Sequence, residues 1–334
     1  MCMAKILLAE ETLFKNEDAF SFDYVPEIFS FRDSQLHSIA GAVRPAMRNK
    51  KSSNLLLTGN PGTGKTTAVK ITFRQLSGPY AVCINSEICS SPYRIFAEIH
   101  RSLFGFLPPE TGVPLPSIYD KIFRKLVNEK RSLVVALDDV QYLGSEMNRV
   151  LYDLLRAGES YAGVKVCVIA IANNSILHRL DDKVRSVFQP DEIAFPDYTR
   201  REIGEILAQR CALGLCDGVM RPPVLEEIVS ATFAKKDLRF GVEAIRKAVA
   251  RAEASSSTIV NREHVVTESR HQEEGELLPL VPDDGIRSGE LFERVKEKMG
   301  YTKFYRLLQR LEATGYIKTE AIRGIGNSRL IKKR

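Results

Sequence analysis

Two short stretches carry side chains that could act together on one phosphorylated ligand. GNPGTGKT, Gly59 to Thr66, fits the pattern G-x-x-x-x-G-K-[ST]. Such a loop, Gly59, Asn60, Pro61, Gly62, Thr63, Gly64, Lys65, Thr66 and then Thr67, curls because its glycines accept unusual dihedrals, and its backbone N–H groups turn inward on phosphate. A helix starting behind it adds the positive end of its dipole. Lys65 can then reach β- and γ-phosphates, and the Thr66 hydroxyl can ligate Mg2+. The second stretch, VVALDDV (134–140), is an apolar run that ends in Asp138 and Asp139.

Two carboxylates at the end of a buried strand match the charge such a ligand brings. Magnesium takes oxygen ligands, so Asp138 is the expected carboxylate at the metal, directly or through water. Asp139 either orients or activates the water that attacks the γ-phosphate, or caps the following helix, which is expected to begin near Ser145. A third apolar run, VCVIAIANN, ends in Asn173 and Asn174, whose amides can both donate and accept at an attacking water or γ-phosphate. Arg239 opens the helical pattern LRFGVEAIRKAVARAE, where a guanidinium could neutralise charge developing on phosphate oxygens.

Those side chains need elements to place them. NLLLT (54–58), YAVCINS (80–86), SLVVALDDV (132–140) and VKVCVIAIANN (164–174) read as buried strands. Amphipathic helical patterns such as RIFAEIHRSLF and MNRVLYDLLRAGE lie between them, and this alternation predicts an α/β domain on a mainly parallel sheet. FLPPETGVPLPS (106–117), with four prolines and no periodicity, reads as a loop or broken insertion. Beyond Pro196 the strands stop, and 199–213, 221–233 and 238–254 read as helices of a smaller domain. The predicted organisation is a nucleotide-binding α/β domain over 1–195, a helical domain over 196–267, a linker over 268–287 and a last domain over 288–334.

The chain has 334 residues, too many for one core, and an ordinary balance of 44% hydrophobic and 27% charged residues. No apolar stretch approaches the ~20 residues of a membrane span, and the amino-terminal residues show no signal-peptide pattern, so a cytoplasmic protein without a membrane partner is expected. The six cysteines form no C-x-x-C pair, which argues against structural zinc. The last 54 residues hold thirteen Lys/Arg against seven Asp/Glu, so the formal charge of +6 lies there and the rest of the chain balances. A basic terminal segment invites a nucleic-acid partner.

In that segment 288–299 and 302–314 read as helices, and YIKTEAI (316–322) and SRLIKKR (328–334) as two strands around RGIGN. Phe304, Leu307, Leu308 and Leu311 form one apolar face of TKFYRLLQRLEATG. Lys303, Arg306 and Arg310 fall towards the other face, with Thr302, Tyr305 and Gln309 nearby. A helix so patterned can enter a major groove, its cations on phosphates and other side chains on base edges. Arg323, Gly324 and Arg329 belong to the expected hairpin and could grip the adjacent backbone or minor groove.

With these residues in hand, the chain resembles the archaeal Orc1/Cdc6 replication initiators, a branch of the AAA+ ATPases, from about Asp23 to its carboxyl end. DYVPEIFSFRDSQLHSIAGAV (23–43) is similar to the family's leader beside the adenine, and the resemblance implies that Val25 and Pro26 line the base with Arg32 near it. GNPGTGKT resembles the Walker A loop, LDDV the Walker B segment, and ANN (172–174) sensor 1, which puts the key amide at Asn173. KDLR (236–239) is similar to the family's sensor 2 "GDxR" and implies that role for Arg239. LPPETGVPLPS resembles the initiator-specific insertion, and the tail a winged-helix domain that looks short at its front. The chain departs from the family in having Asp139 where Glu is usual, one methylene shorter, and Lys183 where arginine is common, with Arg185 two residues on.

The resemblance implies an α/β AAA+ domain, a small helical lid and a carboxyl-terminal winged helix. It also implies ATP or ADP with Mg2+ as ligands, origin duplex DNA as partner, and the replicative helicase and other initiator subunits as further partners. Hydrolysis is expected to be slow with the shorter Asp139. The competing readings are another AAA+ ATPase of DNA metabolism, of clamp-loader or branch-migration type, and a signalling ATPase with a winged-helix module.

Overall fold

A computed structural model describes residues 12–109, 112–266, 277–282, 285–296, 299–313, 317–321 and 329–333. The chain divides into two compact units, one of residues 1–217 with 232–243, the other of 218–231 with 244–334.

The first unit runs α1 (Asp33–Val43), β1 (Leu55–Thr58), α2 (Lys65–Gln75), β2 (Tyr80–Asn85), α3 (Pro92–Phe104), α4 (Leu115–Glu129) and β3 (Leu133–Asp138). A 3-10 segment, Val140–Glu146, leads to α5 (Met147–Leu155), α6 (Ala157–Ser160), β4 (Val166–Ala172), α7 (Asp182–Phe188), β5 (Asp191–Ala194) and α8 (Arg200–Gly214). The strands form one parallel sheet in the order β2-β3-β4-β1-β5.

A parallel sheet is covered on both faces, so its inner strands must be apolar at every position. Strand β3 shows this: Leu133, Val135 and Leu137 enter one core while Val134 and Ala136 enter the other, all fully buried. β4 divides the same way, Val168, Ala170 and Ala172 against Cys167, Ile169 and Ile171. Each buried Val, Leu or Ile contributes about 1.5–3 kcal/mol, so these runs hold the carboxyl ends of the strands rigidly. Edge strand β5 is mostly exposed, and its DEIA sequence carries no such signal.

Local signals set the helix ends. In α3 the Ser91 side chain accepts from the Arg94 N–H, Pro92 sits in the first turn, and Gly105 closes the helix at φ +84°. Thr199 and Glu202 form a capping box at the start of α8.

Helices α9 (Pro222–Lys235) and α10 (Leu238–Ala254) each contribute residues to both units. The carboxyl-terminal part contains β6 (Ile286–Arg287), α11 (Ser288–Val295), α12 (Tyr301–Ala313), β7 (Ile317–Ala321) and β8 (Arg329–Lys333). The three strands form an antiparallel sheet in the order β6-β8-β7. Phe304, Leu307, Leu308 and Leu311 of α12 pack with Leu291, Val295, Ile317 and Ile331. Leu277 and Val281 also enter that core, so part of the stretch read as linker belongs to the winged helix. Arg323 and Gly324 lie outside the described residues.

Candidate functional site: a phosphate loop and an acidic strand end

The carboxyl ends of β1, β3 and β4 lie side by side, the crevice where parallel α/β sheets bind ligands. Thr58 pairs with Ala172, and the next residue's N–H, that of Gly59, donates to the Asn173 carbonyl at 3.2 Å. The loop after β1 ends at Gly64 (φ +93°), and α2 begins at Lys65.

Two glycines of the loop are required by contact. A Cβ on Gly59 would lie 2.3 Å from the Phe195 carbonyl oxygen. One on Gly62, at φ +75°, would lie 2.1 Å from Asp237 Oδ1 and 2.9 Å from the Leu238 nitrogen. The turn before α10 therefore packs on the phosphate loop. In that turn Asp237 Oδ1 accepts from the Arg239 N–H at 2.9 Å, and Arg239 itself is exposed. Phe29 and the Tyr198 hydroxyl crowd Gly64.

Lys65 is 6% exposed and donates to the carbonyls of Gly59 (2.7 Å) and Asn60 (2.9 Å). Burial pushes its ammonium below the ordinary lysine value, while the charges of Asp139 and Asp138 pull it back up. Thr66 Oγ1 lies 3.0 and 2.9 Å from the two carboxylate oxygens of Asp138. Burial raises the Asp138 pKa, and the Thr66 hydrogen bond and the Lys65 charge oppose that rise. A hydroxyl and a carboxylate meeting beside the phosphate loop are the hard oxygen donors that magnesium takes.

Asp139 has a left-handed backbone, φ +53° and ψ +45°, a region that aspartate tolerates better than most residues. It makes no side-chain cap to the segment that follows. That segment, Val140–Glu146, is a 3-10 helix and not the loop expected before Ser145. Asp139 Oδ1 accepts from Gln141 Nε2 at 3.0 Å. Two buried side-chain oxygens near this corner, Ser86 Oγ and Gln141 Oε1, have no hydrogen-bond partner among the described residues. Ser86 is adjacent because its N–H donates to the Asp138 carbonyl at 2.9 Å.

Arg32 is buried and spent on backbone. Its Nε donates to the Thr63 carbonyl at 3.1 Å, its Nη2 to the Pro196 carbonyl at 2.6 Å, and its guanidinium lies 3.8 Å from the Tyr198 ring centroid. It braces the phosphate loop from behind. Val25 and Pro26 are half-buried. Asn60 Nδ2 donates to Asp197 Oδ1 at 2.7 Å, and Asp197 pairs with Lys236 at 3.4 Å. Thr63 Oγ1 donates to the Asn60 carbonyl. Arg185 Nη2 donates to the Leu180 carbonyl of its own segment, and Lys183 is exposed.

Sequence reasoning did not find Asp197, Asp237 or Gln141. A Lys-Asp-Leu-Arg run was the only local sign of the second, and spacing alone does not place the others. In the winged helix, Tyr305 is half-buried and Arg329 exposed, with the Arg329 N–H donating to Ser288 Oγ at 3.2 Å. The side chains of Thr302, Lys303, Arg306, Gln309 and Arg310 lie outside those described.

This fold and loop define a nucleotide-binding class, and residues 29–169 match the family model described as AAA ATPase domain. The chain is 38% identical to the ORC1-type DNA replication protein 2 of Methanothermobacter thermautotrophicus, an alignment covering 98% of this chain and 93% of that protein. It belongs to the ORC1-type DNA replication protein family. Its fold is that of the Aeropyrum pernix Orc1 protein solved in complex with DNA (TM-score 0.69, 24% identity, 96% of this chain and 93% of that one). The Aeropyrum pernix ORC2 protein, solved as ADPNP-ADP complexes, is similar in fold (TM-score 0.67, 24% identity, 96% and 94% covered). Among the described residues no helix is long and apolar enough to cross a membrane.

Proposed function

We propose that this chain is an ATP-controlled replication initiator that binds origin duplex DNA through its winged helix and helps load the replicative helicase beside other initiator subunits in the cytoplasm. The observation that carries the nucleotide part is the meeting of Thr66 and Asp138 beside Lys65, at the carboxyl edge of the sheet. Backbone N–H groups of Gly59 to Thr67 would cradle the phosphates of ATP or ADP. Lys65 would exchange its two carbonyl partners for phosphate oxygens. Thr66 and Asp138 would hold Mg2+, which when bound neutralises phosphate charge. Val25, Pro26 and the backbone braced by Arg32 would border the base.

Asn173, Asp139 and Arg239 would address the γ-phosphate from three elements. The Arg239 charge already acts on both Lys65 and Asp138, which supports its placement. Family membership over nearly the whole chain supports the DNA-replication role. The exposed Arg329 and the face of α12 carrying Thr302, Lys303, Tyr305, Arg306, Gln309 and Arg310 would meet duplex DNA, with Arg323 and Gly324 at the hairpin. Filter binding of origin and random duplexes with ATP and with ADP tests this reading. Tighter origin binding in one nucleotide state is expected and should disappear in Lys65→Ala. Equal affinity for every duplex in both states would remove it.

A further inference from the structure

Asp139 does not stand alone. Gln141 lies two residues on, inside the 3-10 turn that the Tyr142 N–H closes on the Asp139 carbonyl at 3.0 Å. Its Nε2 donates to Asp139 Oδ1 at 3.0 Å. A carboxylate only accepts, so the amide orientation is set: the nitrogen faces Asp139 and the oxygen turns away. That oxygen is buried and unpartnered among the described residues. Asp139, so held, is the largest of the charges acting on Lys65, ahead of Asp138. The Asp139 carboxylate in this pose is therefore near enough to Lys65 for its charge to be felt there.

The geometry points to Gln141 as a positioning residue for Asp139: its Nε2 donates to Oδ1 and holds the carboxylate that takes the proton of the attacking water. This rests on the ATP-binding reading above. It also explains how a strand end carrying the shorter acid keeps a base in place. Free Asp139 would sample rotamers that miss the water, and one donor on Oδ1 removes that freedom. In the step itself the water oxygen bonds to the γ-phosphorus and its proton passes to the Asp139 carboxylate and on to solvent. The bond from that phosphorus to the bridging oxygen breaks, and ADP leaves with the electron pair.

The test uses the full chain with ATP, Mg2+ and duplex DNA. Single-turnover phosphate release is measured for wild type, Gln141→Ala, Gln141→Glu, Asp139→Ala and the Asp139→Ala/Gln141→Ala double variant. ATP affinity and melting temperature are followed for each. Gln141→Ala should slow release by about 100-fold with ATP affinity within about twofold. The double variant should be no slower than Asp139→Ala, because Gln141 acts through Asp139. Gln141→Glu keeps the volume but cannot donate to a carboxylate, so it should be as slow as Gln141→Ala, and it decides the matter if the alanine variant does not fold.

In the nucleotide-free protein, the Gln141 side-chain amide protons should shift in the NMR spectrum on Asp139→Asn. Wild-type release by Gln141→Glu, multiplicative losses in the double variant, or an unmoved amide signal would overturn the inference. A wild-type chain that binds ATP but releases no phosphate overturns it while leaving the nucleotide-controlled reading intact. Absence of ATP binding sinks both.

Discussion

Thr66 Oγ1 touches both carboxylate oxygens of Asp138, at 3.0 and 2.9 Å, across 72 residues of chain. The contact joins the first turn of α2 to the end of β3. It also sets a balance. Burial disfavours the Asp138 charge, and one hydroxyl with a nearby lysine only partly offsets that.

Asp138→Asn should therefore separate stability from binding. The folded chain holds the Asp138 proton more tightly than the unfolded chain does. Its contribution to stability is fullest below the ordinary carboxylate value and declines as pH rises to the raised folded value. The asparagine variant removes that decline, so at neutral pH its melting temperature should rise by about 2 °C. Affinity for ATP with Mg2+ should fall at least ~10-fold, since the metal needs a carboxylate. Calorimetric melting across pH 3–8, with nucleotide titration at pH 7.5, checks both. A variant that melts lower and binds normally would contradict the balance.

Gly62→Ala should damage a turn 175 residues away. The new methyl meets Asp237 Oδ1 at 2.1 Å and the Leu238 nitrogen at 2.9 Å, on a backbone at φ +75°. A cost of about 1–3 kcal/mol is expected, read from urea unfolding. ATP affinity should fall with it, because the turn carrying Arg239 is displaced. Unchanged unfolding would show that the two loops do not press on each other.

Arg32 is expected to act as a brace. Arg32→Ala strips donors from the Thr63 and Pro196 carbonyls and should cost about 2–3 kcal/mol. Arg32→Lys should recover little, because one ammonium cannot span both carbonyls and stack on Tyr198. A direct role at the base gives a different pattern: normal melting with lost preference for adenine nucleotides.

Arg329 is exposed on β8, on the domain proposed above to bind duplex DNA. Arg329→Ala should weaken binding to every duplex alike and reduce the slope of log affinity against log salt by about 0.9. Titrations at several salt concentrations measure that slope. An unchanged slope removes Arg329 from the interface.

The residues that were legible follow one physical rule. β1, β3 and β4 are apolar up to their carboxyl ends because both of their faces are covered, so continuous runs betray them and also mark where they end. Hence the runs alone set Asp138 and Asp139, and Asn173 with Asn174, at strand ends; the loop motif supplied Lys65 and the family resemblance chose Asn173 of the two amides. β5 was not legible: Asp191, Glu192 and Ala194 are exposed, and the strand exists because its backbone pairs with β1. The Val140–Glu146 segment reads as a loop because its turn comes from the left-handed Asp139, and no composition announces a single backbone angle.

The sequence by itself determined the chemistry: a glycine loop with its lysine and threonine, two acids ending a buried strand, and a basic segment with a helical face. These depend on residue type and short spacing, which the chain states directly. Only the tertiary structure decided what holds them. It spends Arg32 on the Thr63 and Pro196 carbonyls, sets Asp237 against Gly62, links Asn60 to Asp197 and ties Gln141 to Asp139. Most of these contacts join distant segments whose meeting depends on how the whole sheet stacks, and even the short Gln141–Asp139 bond depends on one backbone angle that residue order does not encode.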